Sequence, residues 1–346
     1  MGLLVLKNYA IMLKFLKKII VPVLFLAIGF GAGLASYEQY CQKNTVVHQI
    51  RPQNNGSYKF INPLYECEVG GETYLSKYIP FEDKIRTRIN DEVQKDGDFQ
   101  LSVYFRNLQN GPSFGINPDQ DFAPASLLKL PLMIAYFKKA EINPELLNDE
   151  LVFTANENSD GLREMQQIAP AEHLQSGQSY TVDELIRWMI IDSDNDSMAL
   201  LMEHFSKDDL YQIYGELGIV NPYNSISSDS ISVKDYASFL RILYNAAYLS
   251  QASSEKALGL LAQSNFKDAL VAGVPDSIKV AHKFGEREMA AGEKYSEEFH
   301  DCGIVYYEKY PYLLCVMTKG NDKNQLIGAV RDISRITYEE IARSYP

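Results

Sequence analysis

Residues 122–134 read Phe-Ala-Pro-Ala-Ser-Leu-Leu-Lys-Leu-Pro-Leu-Met-Ile. Ser126 and Lys129 stand three apart there, at the start of an apolar run that predicts a helix. On a helix, residues i and i+3 share a face, so an ammonium at 129 can lie beside a hydroxyl at 126. A serine hydroxyl is a poor nucleophile until something takes its proton. A lysine can do so when burial and neighbouring positive charge lower its pKa. The S-x-x-K spacing alone is weak, because it recurs at Ser253 with Lys256 and at Ser264 with Lys267. What separates Ser126 is its setting at the mouth of an apolar helix, where Pro131 is tolerated in the first turns. The bland reading of Ser126 is a helix N-cap.

Upstream, Ile85, Ile89 and Val93 recur at spacing four and predict a helix over about 81–95. Strand patterns follow at 99–105 and near 113–116, with Asn110-Gly111-Pro112 as the turn between them. Downstream, a helix-rich middle runs from about 126 to 264 and includes apolar segments at 127–137, 182–191 and 233–248. Strand patterns return at 277–283, 301–307 and 312–318. An amphipathic helix with Leu326, Val330, Ile333 and Ile341 closes the chain. Two strands and a helix at the front must therefore meet three strands and a helix at the back. That is an α+β class: an antiparallel sheet flanked by terminal helices, with an all-helical lobe inserted. The crevice between the lobes is the default site.

Two further elements join the first. Ser193-Asp194-Asn195 lies between apolar helical segments; its bland reading is a cap on the helix that follows. Lys283-Phe284-Gly285 ends the strand pattern at 277–283, and its bland reading is a strand end with a turn glycine; Lys95-Asp96-Gly97 also fits K-x-G. Together and in this order, S-x-x-K, S-D-N and K-x-G resemble the active-site set of penicillin-binding proteins and class A β-lactamases, S-x-x-K, S-D-N and K-T-G. The resemblance covers roughly residues 81–346. It implies a β-lactamase/transpeptidase-like fold and a serine hydrolase or acyltransferase with Ser126 as the acylated nucleophile. Lys129 would be the base or part of the proton relay. Ser193 would pass a proton to the leaving nitrogen, and Asn195 would hold Lys129 and the substrate's side-chain amide. Lys283 would place positive charge near Ser193 and the substrate carboxylate. Gly285 completes that third motif, and the backbone N–H groups of Ser126 and Glu286 would form the oxyanion hole. The implied substrates are β-lactams or peptidoglycan stem peptides. No cofactor or metal is implied.

The sequence departs from that pattern twice. Phe284 stands where the family usually has Thr or Ser, whose hydroxyl helps bind a carboxylate. The deacylating loop, with its E-x-x-L-N glutamate in class A enzymes, is shorter here by about a dozen residues, and 220–228 (Val-Asn-Pro-Tyr-Asn-Ser-Ile-Ser-Ser) holds no acid. Glu216 is the nearest carboxylate but falls in a helix pattern. These departures leave three expectations: an acyl-enzyme former acting on stem peptides or β-lactams, an active β-lactamase with an unconventional water activator, and a non-turnover penicillin-binding sensor or binding protein. The five histidines show no H-x-x-x-H, and His282, beside Lys283, reads as structural.

The whole chain has 346 residues, 46% hydrophobic and 23% charged, which predicts a packed core and excludes global disorder. Its net charge is −12, yet the first 18 residues carry Lys7, Lys14, Lys17 and Lys18 and no acid, so the remainder carries −16. An acidic body of that size argues against a nucleic-acid partner. Residues 19–36 contain no charge and are just long enough, at ~1.5 Å per residue, for a bilayer core of ~30 Å. The preceding lysines orient 1–18 to the cytoplasm and the rest outward. An uncleaved signal anchor at 19–36 is the preferred reading, and a signal peptide cut near Gly33-Leu34-Ala35 is the other. The expected order is then a cytoplasmic N-terminus at 1–18, the anchor at 19–36, a membrane-proximal stalk at 37–80 and the hydrolase domain at 81–346 in the cell envelope. Outside the cytoplasm disulfides are permitted. Cys302 could face Cys315 across a hairpin, or both could be buried thiols; Cys41 and Cys67 could also pair.

Overall fold

The computed structural model describes residues 49–50, 58–62, 64–65, 75–95, 97–109, 113–155, 173–219, 230–291 and 294–345. The chain divides into two units, Met1–Gln49 and Ile50–Pro346, and the fold below is that of the second. The run at 19–36, Cys41, Cys67, the 110–112 turn and the 220–228 loop all lie outside the described residues. Among the described residues no helix is long and apolar enough to cross a membrane.

A five-stranded antiparallel sheet forms the base of the molecule. Its strands are β1 (Gln100–Asn107), β2 (Ser113–Ile116), β3 (Val280–Ala291), β4 (Lys294–Val305) and β5 (Tyr312–Gly320), in the order β2-β1-β5-β4-β3. Side chains alternate across the pleat. On β5, Tyr312, Leu314 and Val316 face one core while Leu313, Cys315 and Met317 face another. The first core is closed by the terminal helices, α1 (Leu75–Lys95) with Phe81, Ile85 and Ile89, and α8 (Lys323–Ser344) with Leu326, Val330, Ile333 and Ile341. The second is closed by the helical lobe: α2 (Lys129–Ala140), α3 (Val182–Ile191), α4 (Asn195–Glu203), α5 (Lys207–Leu217), α6 (Val233–Tyr244) and α7 (Gln251–Leu261). The expected architecture of sheet, terminal helices and inserted lobe is the one observed.

Local departures have physical reasons. The motif Lys283-Phe284-Gly285 sits inside β3, not at a strand end, because β3 and β4 pair from Val280↔Val305 out to Ala291↔Lys294. The polar stretch Glu286-Arg287-Glu288 hides that pairing from a hydrophobic pattern. Helix α1 starts at Leu75, earlier than residue 81, and α6 ends at Tyr244, short of residue 248. Residues 58–62, inside the stretch read as a stalk, dock on the lobe. Ile61 is buried there, and the Glu255 carboxylate accepts N–H bonds from Lys59, Phe60 (2.9 Å) and Ile61 (3.0 Å). Cys302 and Cys315 stand opposite each other in register on β4 and β5 and are joined as a disulfide.

Candidate active site

Ser126 lies in a 3-10 turn, Ala125–Leu128, that runs directly into α2. The turn has no side-chain cap, so the Ser126 hydroxyl is not an N-cap. Pro124 fixes the entry at φ −66°, and its carbonyl accepts the Leu127 N–H at 2.9 Å. Ala125, next to Ser126, has φ 47°, a left-handed conformation that costs an alanine about 1 kcal/mol or more. The turn rests on β3 at Gly285. A Cβ there would lie 3.0 Å from the Pro124 carbonyl and 3.1 Å from the Leu127 nitrogen, so only glycine gives this approach without displacement.

Lys129, the first residue of α2, is withdrawn from solvent (0% exposed). Its ammonium donates to Ser126 Oγ (2.9 Å), Asn195 Oδ1 (2.6 Å), Ser193 Oγ (3.2 Å) and the Ser193 carbonyl. Burial pushes its pKa from 10.5 down to about 7, against the opposing pull of Asp194 and Glu286. Lys283 arrives from β3 on the other side. It donates to Ser193 Oγ at 2.9 Å and to the Phe284 carbonyl at 2.8 Å, and it too is fully buried. Burial first, then the nearby Lys129, hold its pKa well below the usual lysine value. The Ser193 hydroxyl thus touches both amines.

The loop before α4 serves two purposes at once. Asp194 caps α4 by accepting the Ser197 N–H at 2.6 Å. That leaves its neighbours Ser193 and Asn195 to reach Lys129. Ser193 takes up a left-handed φ of 56° in this placement. Asp194 is thus the cap, while Ser193 and Asn195 both contact Lys129.

The structure brings Ser126, Lys129, Ser193, Asn195 and Lys283 into one hydrogen-bonded cluster, with Gly285 beneath the Ala125–Leu128 turn. Glu286 follows Gly285 on β3, and its carboxylate pairs with Lys323 in the first turn of α8. Phe284 is 2% exposed and packs on Phe266 and Phe299, with ring centroids 4.4 and 6.5 Å away. The Lys283 ammonium sits 4.1 Å from its ring centroid. His282 is buried with Nδ1 2.8 Å from Asp301 Oδ1, which is a structural place. Glu216 lies exposed on α5 and accepts from Gln212 (2.7 Å) and the Tyr248 hydroxyl (2.5 Å), neither of which belongs to the cluster. Among the described residues, His173, Asp194 and Asp196 bring possible metal-ligand atoms within 4.8 Å of one another, with His173 exposed and Asp194 engaged as a cap.

Sequence reasoning missed one pair at this site. Glu298 and His300 on β4 contact the backbone of Ala123, just ahead of the turn that carries Ser126. They stand 175 and 177 residues away from it, and no local motif marks them.

The model of a family described as "Beta-lactamase enzyme family" matches residues 84–341. No curated protein matches the chain. Solved structures with the same fold include PBP-A, with 22% identity and a TM-score of 0.61, covering 75% of this chain and 96% of that one. A beta lactamase from Xanthomonas campestris pv. campestris is 20% identical over 75% of this chain and 98% of its own, with a TM-score of 0.61. A beta-lactamase from Francisella tularensis is 15% identical over 77% and 100%, with a TM-score of 0.62. At these identities the likeness is one of fold.

Proposed function

From the premise that the chain belongs to the beta-lactamase enzyme family, and is a serine hydrolase of that class, we propose that it forms an acyl-enzyme at Ser126. The observation that carries this is the 2.9 Å contact between Ser126 Oγ and the amine of Lys129, whose complete burial pushes its pKa down to about 7. At neutral pH a large fraction of that amine is uncharged and has a lone pair for the Ser126 proton. Ser126 Oγ then attacks the carbonyl of an amide or ester, and the C–O bond forms as the proton passes to Lys129 Nζ. The backbone N–H groups of Ser126 and Glu286 receive the oxyanion. As the carbon–nitrogen bond breaks, the Ser193 hydroxyl gives its proton to the leaving nitrogen and is reprotonated from the lysines on either side. Asn195 keeps Lys129 in place and offers its amide to the substrate.

The substrates are β-lactams or peptidoglycan stem peptides. One of the structures with this fold is described as an acyl-enzyme complex of a PBP-A mutant with penicillin G. Deacylation is slow in this reading, because 220–228 contains no carboxylate and Glu216 is engaged elsewhere on an exposed helix face. The same observation favours a second reading, a penicillin-binding sensor that acylates and stalls. An efficient β-lactamase would need another water activator. The catalytic unit works outside the cytoplasm, held by an anchor at 19–36. The Cys302–Cys315 disulfide supports this, since such bonds persist in oxidising compartments.

The test is an intact-mass measurement on the purified full chain incubated with penicillin. A persistent adduct that is absent in Ser126→Ala supports the acyl-enzyme. Rapid loss of a chromogenic cephalosporin without adduct supports the β-lactamase. Silence towards penicillin, esters and fluorophosphonate alike removes the acyl-transfer reading.

A further inference from the structure

We infer that Glu298 and His300 are positioning residues for the Ser126 nucleophile, tying the chain that enters the reactive turn to strand β4. Ala123 lies in neither helix nor strand, so its N–H and C=O need partners from elsewhere. The Glu298 carboxylate accepts the Ala123 N–H at 2.7 Å, and His300 Nε2 lies 2.9 Å from the Ala123 carbonyl. The Thr318 N–H donates to His300 Nδ1 at 3.3 Å. Nδ1 is therefore the acceptor, and the ring proton resides on Nε2, aimed at Ala123. Two side chains from one strand thus hold both polar backbone groups of a single residue three positions ahead of Ser126.

The pair is held in turn. Lys319 on β5 approaches Glu298 Oε1 at 3.3 Å, His300 Nε2 stands 3.5 Å from Glu298 Oε2, and the Phe122 ring meets the imidazole edge to face with centroids 5.6 Å apart. Burial pushes the Glu298 carboxyl up, but the His300 and Ala123 hydrogen bonds and Lys319 more than offset this and leave it below the ordinary range. Glu298 is 4% exposed and His300 0%. Burying a carboxylate and an imidazole carries a desolvation cost that an apolar pair would avoid.

What the tether constrains gives a reason for that cost. Ala125 holds a left-handed conformation that nothing in its own chemistry favours. It persists only if both flanks are fixed. Lys129 fixes the downstream flank through Ser126, Gly285 supports the turn from below, and Glu298 and His300 fix the upstream flank. In register, His300 is the direct partner of Gly285, so the floor and the tether belong to one rung of the sheet. A displacement of about 1 Å in a reacting group costs roughly 10²-fold in rate.

The inference rests on the acyl-transfer reading for its kinetic arm, so the test has a second arm that needs no chemistry. In the full chain, Glu298→Ala and His300→Leu remove the two bonds. Glu298→Gln keeps an acceptor for the Ala123 N–H, and His300→Gln places an N–H donor near the position of Nε2. Saturation kinetics with a fluorophosphonate probe separate the limiting acylation constant from the half-saturation concentration, and amide exchange read by mass spectrometry follows peptides spanning 121–128. Expected are an acylation constant lowered about tenfold or more in the Ala and Leu variants, half-saturation unchanged within about twofold, faster exchange over 121–128, and recovery of both readouts in the Gln variants to within about threefold. Equal losses in the Gln variants, a change in half-saturation instead of the limiting rate, or unaltered exchange would overturn the inference. A wild-type chain that takes no label removes the acyl-transfer reading. The exchange arm then decides alone: faster exchange with Gln recovery supports the tether, and unaltered exchange ends it.

Discussion

The Lys283 ammonium lies 4.1 Å from the centroid of the Phe284 ring and donates 2.8 Å to the carbonyl of the same residue. Position 284 has no hydroxyl to offer; it is a phenyl face packed with Phe266 and Phe299. With its third close partner in Ser193 Oγ, the lysine has little left to offer a substrate carboxylate. Penicillin G and its methyl ester should therefore acylate the protein at rates within roughly threefold of each other, a difference below about 1 kcal/mol. Phe284→Thr should shift that ratio towards the acid. It should also destabilise the fold by about 3–5 kcal/mol through the lost aromatic, as read by the denaturant midpoint. A strong preference of the unmodified protein for the free acid would count against this account.

Acylation should rise with pH through a single inflection near 7, the pKa of Lys129. The sign for stability is opposite to that of a salt-bridged lysine. The folded pKa is lowered from 10.5, so between about pH 7 and 10.5 the unfolded chain binds a proton that the folded chain does not, and stability from this group grows as pH rises through that window. Lys129→Met should therefore abolish labelling at Ser126 and melt no earlier than the parent at pH 7. Normal labelling in this variant would remove lysine from the mechanism.

Ser193→Ala deletes the hydroxyl that both lysines touch. The expected loss is about 10²–10³-fold in the acylation constant for an amide, where the leaving nitrogen needs a proton, and less for an activated ester, where it does not. Equal losses on both substrates would assign Ser193 a role other than proton delivery.

Glu216→Gln should leave the lifetime of the penicillin adduct unchanged within about twofold, since the Glu216 carboxylate binds Gln212 and Tyr248 on an exposed helix. The measurement is decay of the adduct mass after removal of free penicillin. A lifetime several times longer in the variant would make Glu216 the missing base.

The Cys302–Cys315 bond closes a loop with a sequence separation of 13. Opening it should cost about 2–4 kcal/mol. Urea denaturation with and without reductant, and of Cys302→Ala with Cys315→Ala, reads this directly.

The sequence revealed its helices and strands where burial is periodic: α1 through Ile85 and Ile89, α3 at Val182–Ile191, and the strand ends at 113–116 and 312. It hid the outer half of the β3–β4 hairpin, because Glu286, Arg287 and Glu288 follow no apolar alternation there. Of the cluster, Ser126, Lys129, Ser193, Asn195 and Lys283 were legible because side-chain chemistry at short spacing survives in a linear string. The contacts of Ala123 with Glu298 and His300 were not, because a backbone amide has no residue type and its partners are set by sheet register. The bond between Cys302 and Cys315 was one of two open readings until that register placed them face to face.

The central pairing of β1 with β5 matches Asn107 to Tyr312 and Arg106 to Leu313, so two distant parts of the message must both be translated before the sheet can close. A ribosome that has released the helical lobe has exposed Ser126 and Lys129 but not yet Lys283 or the floor beneath them. Such high contact order slows folding and postpones it until β5 has been made. The nascent chain therefore carries Ser126 and Lys129 apart from Lys283, and the cluster closes only when the sheet does, with its last strand threaded between the first and the fourth.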